Sequence, residues 1–506
     1  MVWTGQEIVT ATAAAIDAAA VASMRFESVC TDSRRAAPGA LFVALRGLHH
    51  DGHDFAAAAL QAGVGAVLVD HVPAGVDRSR ALVVPDTLRA LGDLAAHTRR
   101  RWNGRVAAIT GSNGKTTTKE MVAAICRMHR GGFEGSRVQG AQRAGLATGK
   151  AHGEALEPSN PRTPEPSVLK THANENNLIG LPLTLLRLTG DEAVAVLEMG
   201  MNAPGEIARM TEIAAPDVGL ITNIGPAHLE GLGTIAGVAA AKHELFAGMR
   251  PDAAIAVNMD DQWVVRGAAN FRGRRIEFGA GCEVCATSID DGGFDGVAFT
   301  LRIGAHTAPV QLRMAGRHNV QNALGAAAVA HGLGIGLPTI AAGLRGAEPP
   351  KMRMQIVRLA NGVTLVNDAY NANPASTEAA LDAIGRSAGR AIAVLGEMRE
   401  LGSHSAALHR QVGAYAATAG VRWLLAVGPQ AEDIAAGARA AGTDLEVTVC
   451  EDAASAAALL AARWQRGDAI LIKGSRGPDD EDGVRRYGAR MAEVAARLEA
   501  AAGRTT

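Results

Sequence analysis

The residues best suited to chemistry form a glycine-rich loop, TGSNGKTTT, which runs from Thr110 to Thr118. Glycines let backbone amides face phosphate oxygens, and the start of the predicted helix that follows favours negative charge. Lys115 adds a cation, and Thr116 can ligate magnesium. The strict phosphate-loop pattern has glycine where this chain has Ile109, so the loop is a shortened variant. The predicted nucleotide-binding residues here are Gly111, Ser112, Asn113, Gly114, Lys115, Thr116 and Thr117.

Three further residues follow this loop in an order that supports a catalytic reading. Glu198 lies at the end of the apolar run VAVLEMG, and His228 follows the run VGLITNI, so both lie where open α/β sheets bind ligands. Lys242 follows on a predicted helix. Taken singly, each residue has an ordinary structural explanation: Glu198 as a helix cap, His228 as a loop histidine whose hydrogen bonds are satisfied, and Lys242 as a lysine on a solvated face. Because they follow a phosphate loop, we interpret Glu198 and His228 as candidate metal ligands.

The elements that position these residues alternate as strand and helix. From Arg105 the apolar runs RVAAIT, VAVLEMG, VGLITNI and AAIAVN are separated by stretches of helical length. Such strands, joined by helices, predict a parallel sheet covered on both faces. Turn signals separate the runs between Arg275 and Met314, which predicts an antiparallel insert or edge, and a helix follows from Asn319. Residues 104–347 are therefore predicted to form a central phosphate-loop domain with a parallel sheet.

Two further α/β domains are predicted, which makes three in all. Residues 1–103 alternate short apolar runs with alanine-rich stretches, as in a small α/β domain. A Glu-Pro-Pro stretch marks the next boundary, and residues 348–506 again alternate strands with helices, as in a Rossmann-like domain. Residues 130–167 are rich in glycine, serine and proline without apolar periodicity. We expect that segment to be a mobile surface insertion in the central domain.

The composition of the 506 residues excludes several classes of protein. The net charge is -1 and there are only 17 aromatic residues (9 Phe, 5 Trp and 3 Tyr), which disfavours a general nucleic-acid binder. Five scattered cysteines do not make a disulfide framework, and the pair Cys282 and Cys285 lacks the further ligands that zinc needs. The sequence has no clear signal peptide or membrane-spanning run. We therefore expect a cytoplasmic protein with no nucleic-acid or membrane partner.

Taken together, the motifs resemble those of the Mur ligases of peptidoglycan synthesis. They are TGSNGKTTTKE, LEMGMNAPGEI, NIGPAHLE with AKHELF, AGRHNVQNALGA, VNDAYNANPAS and IKGSRG, in this order along nearly the whole chain. The segments TDSR, KTHANENNLIGLPLTLL and DAYNANPAS resemble the class that joins D-alanyl-D-alanine to UDP-N-acetylmuramoyl-tripeptide. The resemblance implies an ATP-dependent amide ligase of cell-wall synthesis that works through an acyl phosphate.

The resemblance also implies cofactors and roles for single residues. ATP and two magnesium ions are expected, with Lys115, His228 and Lys242 as catalytic residues. Lys242 matches a lysine that becomes carbamylated, and a carbamate oxygen can ligate magnesium whereas an ammonium cannot. The implied metal-binding residues are Thr116, Glu198, His228 and Lys242. The implied ATP-binding residues outside the loop are Asn319 beside His318, Arg353, which here follows methionine where the family commonly has glycine, and Asp368, whose carboxylate would accept from the ribose.

On the substrate side, the resemblance makes residues 1–103 the domain that binds the UDP-sugar. The implied contacts to that substrate are Thr31, Asp32, Ser33, Arg34, Asn174, Asn176 and Asn177. The ordinary explanation of such an asparagine cluster is a turn or capping loop. The segment KGSRG from Lys473 would face the incoming amino component. A monomer is expected.

Three alternatives stay open. Two are ligases of the same architecture, one adding the third residue of the peptide and the other a folylpolyglutamate synthetase. The NxNN and DAYNANP segments, and the absence of a DNPR segment, disfavour both. The third alternative, a phosphate-loop protein without turnover, predicts loss of Glu198, His228 or Lys242, and all three are present. No residue distinguishes diaminopimelate from lysine as the third residue of the peptide substrate.

Overall fold

The structure, a computed structural model, describes residues 1–47, 49–129, 167–475 and 491–503. Within these ranges the strands form sheets of two, four, nine and six strands, interleaved with helices, which confirms the α/β class. The insertion predicted at 130–167 lies outside the described residues, apart from Ser167. Across the described ranges, no helix combines the length and the apolarity needed to cross a membrane.

The first region contains a parallel sheet of four strands beside a two-stranded antiparallel pair. Its elements are β1 Trp3–Thr4, α1 Gly5–Thr12, α2 Ala18–Val21, β2 Arg25–Phe26, β3 Ser28–Cys30, β4 Ala40–Val43, α3 Ala56–Gln61, β5 Ala66–Val69, β6 Ala81–Val83 and α4 Thr87–Arg101. Strands β3, β4, β5 and β6 are parallel and adjacent in that order, while β1 pairs with β2. The chain segments that follow β3 to β6 therefore all leave the same edge of the sheet.

The central region contains the nine-stranded sheet, in the order β15-β14-β13-β12-β11-β10-β7-β9-β8. Its elements are β7 Arg105–Thr110, α5 Lys115–Met128, β8 Ser167–Lys170, α6 Gly180–Leu186, β9 Glu192–Glu198, α7 Glu206–Ala214, β10 Val218–Ile221, α8 Leu229–Leu232, α9 Ile235–Gly248, β11 Ala254–Asn258, α10 Gln262–Ala268, β12 Arg274–Phe278, β13 Val284–Asp291, β14 Val297–Ile303, β15 His306–Leu312, α11 His318–Gly332 and α12 Leu337–Gly346. Strands β7 to β12 pair in parallel. Their carboxyl ends therefore share one edge, where ligands of α/β proteins bind.

The three runs predicted to form an antiparallel edge between Arg275 and Met314, EVCATSI, VAFTLRI and APVQLRM, form β13, β14 and β15. Strands β13, β14 and β15 pair antiparallel, whereas β12 is parallel to β11 along its whole length. The helix α10 joins β11 to β12 as a crossover, and such a connection yields parallel strands, while short turns join β13 to β15. The antiparallel edge is thus three strands long, and only the start of the predicted range reaches into the parallel β12.

The third region contains the six-stranded sheet, in the order β16-β17-β21-β18-β19-β20. Its elements are β16 Gln355–Arg358, β17 Thr364–Asp368, α13 Pro374–Gly385, β18 Ala391–Leu395, α14 Ser405–Thr418, β19 Trp423–Val427, α15 Ala431–Ala440, β20 Glu446–Cys450, α16 Ala453–Arg463, β21 Ala469–Lys473 and α17 Met491–Ala502. Only β16 is antiparallel to its neighbour. The sequence did not predict β16 and β20, which are the two edge strands and are only partly buried.

Helix α4 lies in the first region of the chain but packs on the central sheet. Its apolar face shares one buried cluster with Leu181 and Leu185 of α6 and Ile213 of α7. At its end, the Arg99 guanidinium lies 3.1 Å from the Asp217 carboxylate. The domain boundary predicted at residue 103 therefore follows a helix that already belongs, by packing, to both regions.

Candidate active site

The phosphate loop lies between β7 and α5 and is held by the segment that follows β10. The Ser112 amide donates to the Asn223 carbonyl (2.9 Å), and the Asn113 amide donates to Asn223 Oδ1 (2.9 Å). The Thr222 hydroxyl donates to the Asn113 carbonyl (2.6 Å), and the Ser112 hydroxyl donates to the Gly225 carbonyl (3.0 Å). The ends of two adjacent strands therefore fix the shape of the loop.

Two glycines of the loop are required by their surroundings. Gly111 has a φ of 147°, and a Cβ there would lie 1.8 Å from Thr222 Oγ1. Gly114 has a φ of 81°, and a Cβ there would lie 2.1 Å from Asn322 Oδ1. Both positive φ values favour glycine. Gly114 immediately precedes α5, so the backbone amides of the loop can bind a ligand at the start of this helix.

Lys115 is the first residue of α5 and folds back over the loop. Its Nζ donates to the carbonyls of Gly111 (2.6 Å) and Ser112 (3.3 Å). Burial lowers the pKa of Lys115, and the Glu198 carboxylate opposes that shift. Because a phosphate oxygen is a stronger acceptor than a carbonyl, the ammonium is well placed to exchange the two carbonyls for a phosphate.

A cavity of about 450 Å³ opens in front of the loop, between the central and third regions. The Asn373 amide, from the third region, donates to Asn113 Oδ1 (2.7 Å) and joins its two walls. Thr116, Glu198, His228 and Lys242 are not part of its lining within the described ranges. The predicted nucleotide residues that line it are Ser112, Asn113, Gly114, Lys115, Thr117, Asn319, Arg353 and Asp368.

On the far side of the cavity, Asn319 and Asp368 already have partners. The Asn319 amide donates to the Ala315 carbonyl (2.8 Å), and its Oδ1 accepts from the Asn322 amide (2.9 Å). Asp368 Oδ1 accepts from the Met354 backbone amide (3.0 Å), and Oδ2 pairs with the Lys473 ammonium. A ribose hydroxyl at Asp368 would therefore have to share a carboxylate that Lys473 already neutralises.

Arg353 reaches the cavity from a strained segment. Its guanidinium carbon lies 4.2 Å from the centroid of the Tyr370 ring, a cation–π contact. The flanking residues Met352 and Met354 have φ values of 56° and 46°. Met352 stands where the Mur ligases commonly have glycine, and it adopts the left-handed backbone that glycine favours. The side chain thus differs from the family pattern while the backbone conformation is the one that suits glycine.

Glu198 ends β9 and is 2% exposed. Its Oε1 accepts from the Asn176 amide (2.9 Å), while Lys119 Nζ lies 3.7 Å from Oε2. That Oε2 has no hydrogen-bond partner among the described residues. Lys119 is itself buried and donates to the Thr171 carbonyl (2.9 Å). A buried carboxylate oxygen without a hydrogen bond is unfavourable, and a bound cation would satisfy it.

Lys242 lies on α9 and is fully buried. Among the described residues, its Nζ has one hydrogen-bond partner, the Met201 sulfur at 3.6 Å. Burial lowers the pKa of Lys242 well below its ordinary value, and the charge of Lys115 adds to the effect. The environment therefore favours the neutral amine at this position.

His228 adopts a left-handed backbone conformation (φ 56°) after β10. Its Nδ1 lies 2.6 Å from Oε2 of Glu400, which belongs to the third region. The distance is that of an ion pair, but the angle does not satisfy hydrogen-bond geometry, so Nδ1 has no hydrogen-bond partner in the described structure. His228 nevertheless lowers the pKa of Glu400, and the charges of Lys115 and Arg399 lower it further. The carboxylate and the imidazole are thus in ion-pair contact.

The predicted UDP-sugar residues fall in two places, both outside the lining of the cavity. Asp32 follows β3 and accepts from the Arg34 backbone amide (3.0 Å) and guanidinium (2.9 Å), with Thr31 and Ser33 beside it. Asn177 Oδ1 accepts from the Gly180 amide (2.8 Å) at the start of α6, which is the capping role of an asparagine loop. Within the same loop, the Asn174 carbonyl accepts from the backbone amide of Asn176 (2.7 Å), whose side chain holds Glu198.

Three residues of this site were not predicted from the sequence. Lys119 lies one turn after Lys115 on α5, and this spacing on a buried helix was the available signal. Asn373 lies within the DAYNANP segment but was given no role. Glu400 reaches His228 from a part of the chain 172 residues away, and no local pattern reports such a contact.

Comparison with known proteins agrees with this arrangement. Family models match residues 25–99 (Mur ligase family, catalytic domain), 109–330 (Mur ligase middle domain) and 352–476 (Mur ligase, glutamate ligase domain). The UDP-N-acetylmuramoyl-tripeptide–D-alanyl-D-alanine ligase of Escherichia coli K12 is 36% identical over 92% of this chain and 94% of its own length.

Solved structures agree as well. A crystal structure of MurF from Acinetobacter baumannii superposes with a TM-score of 0.82 at 31% identity, covering 98% of this chain and 99% of that one. MurF from Thermotoga maritima in complex with ADP superposes with a TM-score of 0.76 at 26% identity, covering 94% and 97%. The three family models match successive parts of the chain, which include the phosphate loop and the regions on both sides of it. The chain therefore belongs to the Mur ligase family, in its MurF class.

Proposed function

We propose that this chain is an ATP-dependent ligase that joins D-alanyl-D-alanine to UDP-N-acetylmuramoyl-tripeptide in peptidoglycan precursor synthesis. The observation that carries the proposal is the cavity between the central and third regions, which Lys115 and the phosphate loop face from one side and Arg353 from the other. The relatives named for this reaction match nearly the whole chain, so both walls of the cavity have counterparts in them.

The reaction has two bond-forming steps. The terminal carboxylate of the tripeptide attacks the γ-phosphorus of ATP, and ADP leaves, giving an acyl phosphate. The amine of D-alanyl-D-alanine attacks the acyl carbon, phosphate leaves and the nitrogen loses a proton, giving the amide. In the first step two anions must approach each other, so positioning and neutralisation are the main contributions of the chain.

The residues of the phosphate loop supply these contributions. The amides at the start of α5 and the Lys115 ammonium bind the phosphates of ATP, and Asn319, Arg353 and Asp368 bind elsewhere on the nucleotide. Asn373 on Asn113 brings the third region against the loop (2.7 Å). Because water hydrolyses an acyl phosphate, this apposition of the two regions also protects the intermediate.

Magnesium fits the residues beside the loop. The buried Glu198 Oε2 has no hydrogen-bond partner in the described structure, and magnesium prefers oxygen donors of this kind. Thr116, Glu198, His228 and Lys242 would hold the metal, two ions in all. When bound, magnesium would neutralise charge on the phosphates.

Carbamylation of Lys242 would turn it into an anionic ligand. In that reaction the neutral amine attacks carbon dioxide, a C–N bond forms and a proton is lost. The fully buried Nζ has a lowered pKa, which favours the amine that this reaction needs. An unmodified ammonium next to magnesium would instead repel it.

The UDP-sugar is assigned to the first region, through Thr31, Asp32, Ser33 and Arg34, with the loop of Asn174, Asn176 and Asn177. The residues after parallel strands β3 to β6 leave one edge of their sheet, which is the usual place for a ligand. We further propose that the enzyme is a cytoplasmic monomer whose product serves cell-wall growth and, through it, cell shape and division.

The test is substrate-dependent release of phosphate by the purified chain, with mass spectrometry of the product. We expect release only when ATP, UDP-N-acetylmuramoyl-tripeptide and D-alanyl-D-alanine are all present, together with a product heavier by the dipeptide less water. Tripeptides ending in diaminopimelate and in lysine are compared in parallel. Release with the UDP-dipeptide and a single amino acid, or with folate and glutamate, would instead identify one of the two rival ligases. Absence of product in every combination would refute the proposal.

A further inference from the structure

A loop of the third region reaches the candidate metal site. It joins β18 to α14, and its residue Glu400 has Oε2 2.6 Å from Nδ1 of His228. The other carboxylate of this loop, Glu397, lies 3.6 Å from Arg399. Glu400 is thus a charged group at this site that comes from the third region, as His228 and Glu198 come from the central region.

The backbone around Glu400 is docked on the central region as well. The Glu230 amide donates to the Glu400 carbonyl (3.1 Å). A Cβ on Gly402 would lie 3.3 Å from Glu230 Cα, and the φ of Gly402 is 54°, so the two backbones approach closely here. Glu400 itself has a φ of 62°. A residue other than glycine keeps this conformation only when its surroundings impose it, and such residues cluster at functional sites.

The His228 side chain is 20% exposed and that of Glu400 is 49% exposed, but an ordinary surface ion pair does not explain the backbone around them. Exposed pairs between flexible side chains contribute little to stability and need no unusual backbone. Here both partners, His228 and Glu400, have positive φ values of 56° and 62°. A backbone hydrogen bond also joins Glu400 to Glu230, which lies two residues after His228. The local structure is therefore built to hold one carboxylate against one imidazole.

We infer that Glu400 is a positioning residue that orients the His228 imidazole through Nδ1 and leaves Nε2 to face the metal. A carboxylate on the outer nitrogen of a metal-ligating histidine fixes both its tautomer and its ring orientation. Because Glu400 belongs to the third region, the metal site is complete only when that region is docked. The inference rests on the proposed function, which makes His228 a metal ligand.

The test measures Mn²⁺ binding, with Mn²⁺ as the probe for magnesium, by the electron paramagnetic resonance signal of the free ion in the presence of ADP. We expect Glu400→Ala to weaken the His228-dependent Mn²⁺ site by roughly 10- to 100-fold, the usual effect of removing such a partner. Glu400→Gln keeps an acceptor for Nδ1–H and should recover part of the affinity. The control is Glu397→Ala, on the same loop, which should bind Mn²⁺ like the wild type.

A double-mutant cycle with His228→Ala separates positioning from general support of the fold. If Glu400 acts through His228, adding Glu400→Ala to His228→Ala changes Mn²⁺ affinity no further. A full additional loss in the double variant, or Mn²⁺ affinity within twofold of wild type in Glu400→Ala, would overturn the inference. If His228→Ala reduces Mn²⁺ affinity but Glu400→Ala does not, only this inference fails and the proposed function stands. If His228→Ala itself leaves Mn²⁺ affinity unchanged, the metal assignment of the proposed function fails, and this inference with it.

Discussion

Two parallel sheets of this chain expose polar residues at their carboxyl ends, and they differ in how those residues are satisfied. At the edge of the central sheet, Glu198 Oε2 is buried without a hydrogen bond in the described structure, with the Lys119 ammonium 3.7 Å away, and the one hydrogen-bond partner of Lys242 Nζ there is a sulfur. At the edge of the first sheet, charges pair with one another. Asp32 pairs with Arg34 (2.9 Å), and Asp70 pairs with Arg46 (2.8 Å).

A histidine beside the first sheet, in the segment between β4 and α3, makes the contrast clear. His53 is 3% exposed, lies between Asp51 (2.5 Å) and the Asp70 amide (3.0 Å), and stacks on His71. With Asp70 and His71 it forms a cluster whose ligand atoms are close enough for a metal ion. However, both nitrogens of His53 have partners, and Arg46 already supplies the positive charge. This cluster is satisfied, so it carries no requirement for a cation.

The contrast shows what distinguishes a site that awaits a ligand. Burying a polar group without a partner costs about 1–3 kcal/mol, so the central edge stores unfavourable energy that ligands relieve. Among the described residues, no buried side-chain polar atom at the first edge lacks a hydrogen bond, so a ligand there must compete with existing pairs. Substitutions at the central edge should therefore affect turnover strongly, while substitutions at the first edge should have small effects on one substrate.

The largest effect is expected for Lys115→Ala. The variant removes the ammonium that faces the phosphates but no core residue, so phosphate release should fall at least about 100-fold, as for loss of a charge-stabilising donor. The circular dichroism spectrum and melting temperature should stay close to the wild type. Lys351→Ala, which removes an exposed lysine near the domain boundary, is the control. Near wild-type phosphate release by Lys115→Ala would show that the carboxyl edge of the central sheet takes no part in the chemistry.

The second prediction concerns carbamylation of Lys242. The wild type in ¹³C-labelled bicarbonate should give a carbamate ¹³C resonance that Lys242→Ala lacks. Carbamate forms from the neutral amine, so a lowered pKa extends its formation to pH values well below the ordinary lysine pKa of 10.5. Lys242→Ala should be nearly inactive and partly rescued by formate or acetate, whereas Lys115→Ala should not be rescued. A fully active Lys242→Ala, or a wild type without the resonance, would contradict the assignment.

The third prediction separates two asparagines that the family resemblance places together on the UDP-sugar. Asn176 donates to Glu198 Oε1 (2.9 Å), so Asn176→Ala should raise the magnesium concentration for half-maximal activity by roughly 10- to 100-fold. Asn177 accepts from the Gly180 amide (2.8 Å), so Asn177→Ala should lower the free energy of unfolding by about 1–3 kcal/mol with little change in magnesium dependence. Magnesium titrations and urea denaturation measure the two effects.

These two asparagines also allow the competing assignment to be recognised. If either variant instead raises the KM for UDP-N-acetylmuramoyl-tripeptide alone, that asparagine binds the sugar substrate and the loop belongs functionally to the first region. His172→Ala is the matched control from the same loop, because His172 is exposed, has no assigned role, and keeps on substitution the backbone carbonyl that accepts from the Glu175 amide.

The sequence predicted the α/β class and the position of the phosphate loop, because both depend on local patterns. Apolar runs of strand length separated by helices required a parallel sheet, and Gly111 and Gly114 do lie where only glycine fits. Two of the strands it missed, β16 and β20, are edge strands with partly exposed residues, which lack a continuous apolar run.

The site was predictable only where its members are close in the sequence or match a family motif. Glu400 and Asn373 act across the cleft between two regions, and their partners lie 172 and 260 residues away. Some of the predicted site residues also have buried partners that the sequence does not reveal. The resemblance implies a ribose contact for Asp368 and a sugar contact for Asn176, and in the structure Asp368 pairs with Lys473 while Asn176 donates to Glu198. Periodicity and spacing do not report which partner a polar side chain chooses.

The smallest effect is expected at the edge of the first sheet, from Arg34→Ala. The Arg34 side chain is 89% exposed and pairs with Asp32, and exposed pairs contribute only about 0–1 kcal/mol, so the melting temperature should hardly change. If the guanidinium turns from Asp32 to the UDP-sugar, the KM for that substrate should rise roughly tenfold, the loss expected for one hydrogen bond between charged groups. The KM for D-alanyl-D-alanine should not move, because that substrate is assigned to the other side of the chain. Arg35→Ala, the exposed neighbour on the same turn, is the control. Equal changes for both substrates would mean that Asp32 and Arg34 only shape the turn, and the satisfied edge of the first sheet would then have no demonstrated part in substrate binding.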